Sequence, residues 1–134
     1  MNSPQHPFNI VYIHTHDTGR YISPYGYPVE TPHLYALAAQ SVLFRNAHST
    51  APTCSPSRSS LLTGTYPHEN GMLGLAHRGF SLYDYRQHLV SYLKSAGYTT
   101  ALCGIQHVAP RKGMIGYDLV LDDSDEYFDQ GIDD

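Results

Sequence analysis

The chain has 134 residues, enough for one domain and too few for two of ordinary size. A hydrophobic content of 41% suits a globular core, but no run reaches the roughly 18 apolar residues of a membrane span, and two cysteines cannot build a disulfide framework. The formal charge of −4 is unevenly spread: eight of the twelve acids lie in Asp118–Asp134, which holds no Lys or Arg, so the preceding residues carry eight basic against four acidic groups. That balance suits an anionic small molecule and, with no Lys/Arg cluster, argues against a nucleic-acid partner. No leader with a charged, apolar and small-residue pattern opens the chain, so the expectation is a cytoplasmic protein with no membrane association.

In chain order, the nearly continuous apolar run Phe8–Ile13 reads as a strand covered on both faces. It ends in the polar loop His14–Arg20, and in open α/β sheets ligand sites gather beyond the carboxyl ends of strands. Residues 21–31 carry Pro24, Gly26 and Pro28 and read as loop; Thr31 then caps a helix with Pro32 at its first position. Ser41–Ala47 reads as a second strand. A Thr/Pro/Ser segment, Ser49–Arg58, leads into a helical stretch Ser59–Thr63 closed by Gly64. Leu82, Tyr85, Leu89, Tyr92, Leu93 and Ala96 fall at helical spacing up to Gly97. Tyr98–Cys103 reads as a third strand, with Cys103 a core residue at its end. Gly104–Pro110 is a further polar loop, and Tyr117–Leu121 one more short strand. This order of strands and helices predicts an α/β fold with a mainly parallel sheet. Residues 1–121 form the domain, and the acidic tail 122–134, with almost nothing to bury, is expected to be disordered in isolation. A chain stopping there, just after a strand, reads as an N-terminal fragment.

The segment Cys54-Ser55-Pro56-Ser57-Arg58 sets a thiol ahead of a helix start and a guanidinium four residues on. Helix N-termini bind anions and lower thiol pKa values, and Arg adds a fixed positive fork. A nucleophile so placed suits attack on a sulfuryl or phosphoryl centre. On spacing alone, a buried filler Cys54 beside a surface Arg58 remains an equal reading.

The stretch Thr53–Gly64 resembles the signature of the type I sulfatases, Cys-x-Pro-x-Arg followed by Leu-x-Thr-Gly. Asn9–Ile13 with its polar turn, Thr31-Pro32-His33-Leu34, Leu43–Ala47, and Gly97–Thr100 with Gly104 follow in family order. Ser41–Ala47 and Asn70-Gly71-Met72 lie nearest the sulfamidase branch. The resemblance implies an alkaline-phosphatase-like fold, its mainly parallel central sheet sandwiched by helices. It implies hydrolysis of a sulfate ester or sulfamate on a sugar by a formylglycine matured from Cys54, with Arg58 steadying the nucleophile and Ca²⁺ or another divalent cation as Lewis acid. The implied partners are a sulfated saccharide, a formylglycine-generating enzyme and the remainder of the sulfatase domain. The alternative within the superfamily is a phosphonate or phosphate monoester hydrolase, and an alternative of a different class is a non-catalytic truncated relic.

Two departures stand out. Where the family carries two adjacent Asp as metal ligands, this chain reads His16-Asp17. The resemblance makes Asp17, His16 and residue 54 the metal-site candidates, although a neutral imidazole is a poor Ca²⁺ donor. His16 either binds a softer metal, contacts sulfate when protonated, or fills the place. Where the family has Gly-Lys-x-His, this chain has Gly104-Ile105-Gln106-His107. His107 keeps the role of a sulfate or nucleophile contact, whereas Ile105 supplies no charge. Gln106 and Arg20 are candidate substrate contacts; His68, Asn70 and His77 are candidates for the rim. The loops 14–20 and 104–110 are expected to meet Cys54 at one sheet edge. With Asp17 the only acid in a family metal position outside the tail, the chain by itself is expected to be inactive.

Overall fold

The computed structural model describes residues 8–121, so the acidic tail expected at 122–134 lies outside the described residues. The chain divides into two compact units, which over the described residues are 8–48 and 49–121.

In residues 8–48 the organising contact is between two hydroxyls. Ser23 N donates to Thr31 Oγ1 at 3.0 Å, and the two side-chain oxygens lie 2.7 Å apart. This joins a 3₁₀ turn at Ser23–Tyr25 to helix α1, Pro32–Ala39. Thr31 takes the expected N-cap position and Pro32 the first helical one, where its missing N–H costs nothing. The Thr31 hydroxyl, however, serves Ser23 instead of the helix's own N–H groups. The strands expected at 8–13 and 41–47 do not form. A strand is defined by a neighbouring strand that takes its N–H and C=O groups, and among the described residues the one sheet pairs other segments, Ala101–Leu102 with Leu119–Val120. Apart from the half-buried Leu43, the large apolar side chains of 8–13 and 41–47 stand in solvent, Val11 at 80% exposure and Phe44 at 69%.

Residues 49–121 hold the core, formed by Met72, Ala76, Leu82, Val90, Val108, Ala109 and Ile115. Helix α2 spans Cys54–Thr63 and α3 is a single turn, Pro67–Asn70. The helix predicted between Leu82 and Ala96 is broken in two, a 3₁₀ turn at Tyr85–Gln87 and helix α4 at Leu89–Ser95. Two caps inside the periodic pattern cause the break. Asp84 accepts from Arg86 N at 2.9 Å, and His88, with extended backbone, accepts from Val90 N through Nδ1 at 3.2 Å. Side chains that satisfy the next turn's orphan N–H groups start new helices and interrupt old ones.

The predicted strands at 98–103 and 117–121 contract to β1, Ala101–Leu102, and β2, Leu119–Val120. They pair in parallel, Ala101 with Leu119 and Leu102 with Val120. Asp118 locks this pairing from one side. One carboxylate oxygen meets Lys94 Nζ at 2.7 Å, and the other accepts from Thr100 N at 2.8 Å and Thr100 Oγ1 at 2.9 Å. The Lys94 hydrogen bond, then those from Thr100, hold the Asp118 carboxyl down at about 2. Cys103 is exposed, correcting the expectation of a core residue. Strand side chains alternate, and the buried face belongs to Leu102. Among the described residues, no helix is long and apolar enough to cross a membrane.

Candidate active site

Cys54 is the first residue of α2, so this helix begins five residues earlier than the Ser59–Thr63 stretch suggested. Thr53 is its N-cap in extended conformation, and its carbonyl accepts the first helical bond from Ser57 N at 3.1 Å. Pro56 falls in the first turn, where the helix loses no internal hydrogen bond by it. The helix ends at Gly64, whose φ of 71° is left-handed and whose N–H closes on Ser60 O at 2.8 Å.

Two neighbours fix this helix. Ser55, buried beside the half-exposed Cys54, accepts from Ala76 N at 3.0 Å. Asn70, also buried, places its amide nitrogen 3.3 Å from the hydroxyls of Thr63 and Thr65, while its carbonyl oxygen accepts from Met72 N at 2.9 Å. Asn70 is therefore spent on internal bonds and does not serve as a rim contact; His68 and His77 are exposed. Neither Ser55 nor Asn70 carries a charge or a periodicity that would mark it as a scaffold residue. Their place inside the blocks Cys54–Arg58 and Asn70–Met72 was the only signal.

Cys54 and Arg58 are one turn apart on α2, hence on one helix face, and both are half-buried. The arrangement sets a thiol at the positive end of a ten-residue helix, with a permanent cation beside it. An anion with tetrahedral oxygens suits that field.

His107 and Gln106 share the loop after β1. His107 is half-buried, and the next two residues, Val108 and Ala109, enter the core. Tyr85 ties the same loop by donating its hydroxyl to Val108 O at 3.2 Å; burial pushes that hydroxyl's pKa up. Gln106 is buried, with its carboxamide engaged by its own loop. Ile105 is exposed.

In residues 8–48, His16 Nδ1 and Asp17 Oδ2 lie 2.8 Å apart. Asp17 has φ 46°, the one described non-glycine residue in the left-handed region, a conformation that Asp tolerates better than most residues. The turn is held by Thr18 Oγ1 donating to His16 O at 3.1 Å. Asp17 and Arg20 are exposed.

The sulfatase family model matches residues 8–133, nearly the whole chain. The chain belongs to the sulfatase family. Human N-sulphoglucosamine sulphohydrolase is 48% identical over 84 residues, covering 61% of this chain and 17% of its own. An ulvan-active sulfatase of Formosa agariphila is 41% identical over 110 residues, 81% of this chain and 21% of its own. Human N-acetylgalactosamine-6-sulfatase is 37% identical over 121 residues, 81% of this chain and 23% of its own. The chain thus spans about a fifth of the length of the curated relatives it matches. No solved structure gives a significant match. As part of a sulfatase domain the chain is α/β, here with helices and one small parallel sheet.

Sulfatases generally use a divalent cation, and the donor chemistry of the His16–Asp17 turn bears on which one. Ca²⁺ takes about six to eight oxygen donors. This turn offers one carboxylate with an imidazole against it. The pair fits one edge of a mixed oxygen–nitrogen site and falls well short of a full oxygen shell.

Proposed function

We propose that the full-length protein is a sulfuric ester or sulfamate hydrolase acting on a sulfated sugar, with residue 54 as its nucleophile. The observation that carries this reading is the seating of Cys54 at the first position of α2 with Arg58 one turn behind it, inside a chain that belongs to the sulfatase family. Sulfate ester cleavage needs a nucleophile at sulfur, positive charge on the sulfonyl oxygens and a proton for the leaving oxygen. Maturation of Cys54 by a formylglycine-generating enzyme would supply a hydrated aldehyde, with one hydroxyl to attack and a second to expel sulfate.

Of the remaining requirements, positive charge at the sulfonyl oxygens falls to this chain's own residues, and the proton for the leaving oxygen falls to the rest of the domain. Arg58 and the N-terminus of α2 hold negative charge at the nucleophile and at the sulfonyl oxygens. His107 contacts the sulfate or the nucleophile from a loop anchored in the core, and Arg20 is an additional cation for the anionic substrate. Asp17, with His16, would hold a divalent cation, which supplies Lewis acidity at the sulfonyl group. The complete domain extends the β1–β2 pair into a mainly parallel sheet flanked by helices, the alkaline-phosphatase-like arrangement; the parallel register of that pair supports this. The rest of the domain supplies the missing metal ligands, so residues 1–134 alone are inactive.

The test is the full-length protein co-expressed with a formylglycine-generating enzyme, assayed on an aryl sulfate and an aryl phosphate, with peptide mass spectrometry of residue 54. Expected are the formylglycine mass, preferential sulfate hydrolysis, no turnover in Cys54→Ala, and a loss of about 10²–10³ in kcat for Arg58→Ala. An active enzyme with an unmodified thiol removes formylglycine from this reading, and preference for the phosphate replaces the substrate class.

A further inference from the structure

Gln106 is 8% exposed, and its side chain makes three hydrogen bonds, all to the backbone of its own loop. Oε1 accepts from Val108 N and from Ala109 N, both at 2.8 Å, and Nε2 donates to Ala109 O at 2.6 Å. Reversing the amide would set N–H against two N–H groups and oxygen against oxygen, so the network itself fixes the orientation. The bonded residues lie two and three positions on, so the carboxamide closes a ring over the backbone of His107.

Both residues whose backbone it holds are deep in the core, Val108 at 1% and Ala109 at 0% exposure, and Tyr85 secures Val108 O from a different element. A buried N–H left without its acceptor has lost its hydration with nothing in exchange, so the loop has one strongly preferred path while Gln106 is present. A residue held between such anchors keeps a narrow range of positions, as a group working at a reacting centre requires.

We propose that Gln106 is a positioning residue for His107, acting through the loop backbone and not by touching substrate. This rests on the reading of His107 as a substrate or nucleophile contact. It assigns Gln106 a role its sequence position did not suggest: a polar side chain beside a site histidine, invested wholly in the backbone of the two residues that follow that histidine.

Chemistry singles out two informative variants. Gln106→Asn keeps the amide but is one methylene too short to span the loop. Gln106→Glu keeps length and both acceptor bonds but places an oxygen against Ala109 O where an N–H stood. Only the protonated acid, donating O–H to that carbonyl, restores the third bond, so the Glu variant recovers function as pH falls.

The experiment uses the full-length, formylglycine-bearing protein with an aryl sulfate, alongside backbone hydrogen-exchange mass spectrometry. In Gln106→Asn, exchange at Val108 and Ala109 is expected to rise about tenfold or more, as loss of a buried acceptor dictates. The kcat is expected to fall about tenfold or more with KM nearly unchanged. Gln106→Glu is expected to add an ionisation to the kcat profile that wild type lacks, with activity rising toward acid. Combined with His107→Ala, Gln106→Asn is expected to cause no further loss, because the two act as one unit. Raised KM with kcat retained, additive losses, or unchanged exchange would each overturn the proposal. Hydrogen exchange reads the loop whether or not sulfate is turned over. Failure of wild type on sulfate therefore removes the functional reading, while unchanged exchange in the variant removes this one.

Discussion

Residues 8–48 and residues 49–121 draw on similar side chains and fold to different degrees. The second unit buries a continuous apolar cluster from Met72 to Ile115. In the first, Pro24 alone among the described residues is buried, while Phe8, Val11, Ile13, Val42 and Phe44 stand exposed. The difference is in where the partners lie. In residues 49–121 a short helix, its cap and the next turn meet within a few tens of residues: Ser55 reaches Ala76, Tyr85 reaches Val108, and Thr100 reaches Asp118. Strand-like runs such as Phe8–Ile13 contribute nothing until another strand adjoins them, and contacts of that kind depend on chain brought from far away.

Mutation of the core gives the largest expected contrast. Met72 is 0% exposed, and Met72→Ala should cost about 2–5 kcal/mol in urea unfolding of this chain, as cavity-forming substitutions do. A loss below about 1 kcal/mol would mean that the cluster is loosely packed and the contrast between the units overstated.

Acid sharpens the same contrast. His88 is 1% exposed, and burial pushes its pKa down to about 4 from 6.5. The buried imidazole stays neutral while the unfolded chain takes up a proton, so stability is full above about 6.5, declines as pH falls toward about 4, and loses nothing more from this group below that. The loss is on the order of 3 kcal/mol. Thermal unfolding across that window should show the slope in wild type and a much flatter one in His88→Asn, which retains an N-cap acceptor without the titration. An equal slope in both proteins would place the acid sensitivity elsewhere.

The smallest effect is expected in the first unit. Phe44→Ser should change the stability of this chain by no more than about 0.5 kcal/mol, the range of exposed substitutions. Placed in the full-length protein, the same substitution reads whether the rest of the domain covers that side chain. A marked loss of melting temperature there, with none in the short chain, would show the apolar run meeting its partner only in the longer protein.

Much of the candidate site was legible because it is local. Cys54 and Arg58 are four residues apart, a helix places them on one face, and Gly64 marks its end; spacing and residue type carried that far. The helix start was misjudged because Pro56 suggested loop, although a first-turn Pro interrupts nothing. Gln106 was legible only as a polar neighbour of His107. Its three bonds depend on the path of the loop into the core, and a polar residue in sequence does not announce whether it faces ligand or backbone. Cys103 was misplaced because a single-residue choice of strand face is decided by packing.

The sequence by itself determined the family and the parallel α/β character, since these rest on residue types at short fixed spacings and on the apolar runs of strands. Only the tertiary structure decided which runs became strands, where the Leu82–Ala96 helix broke, and which polar groups hold the scaffold. Those outcomes turn on whether a hydrogen-bonding or apolar partner reaches the segment. Ala101–Leu102 has Leu119–Val120 beside it and Phe8–Ile13 has no such neighbour among the described residues, and a backbone amide takes the partner that is there.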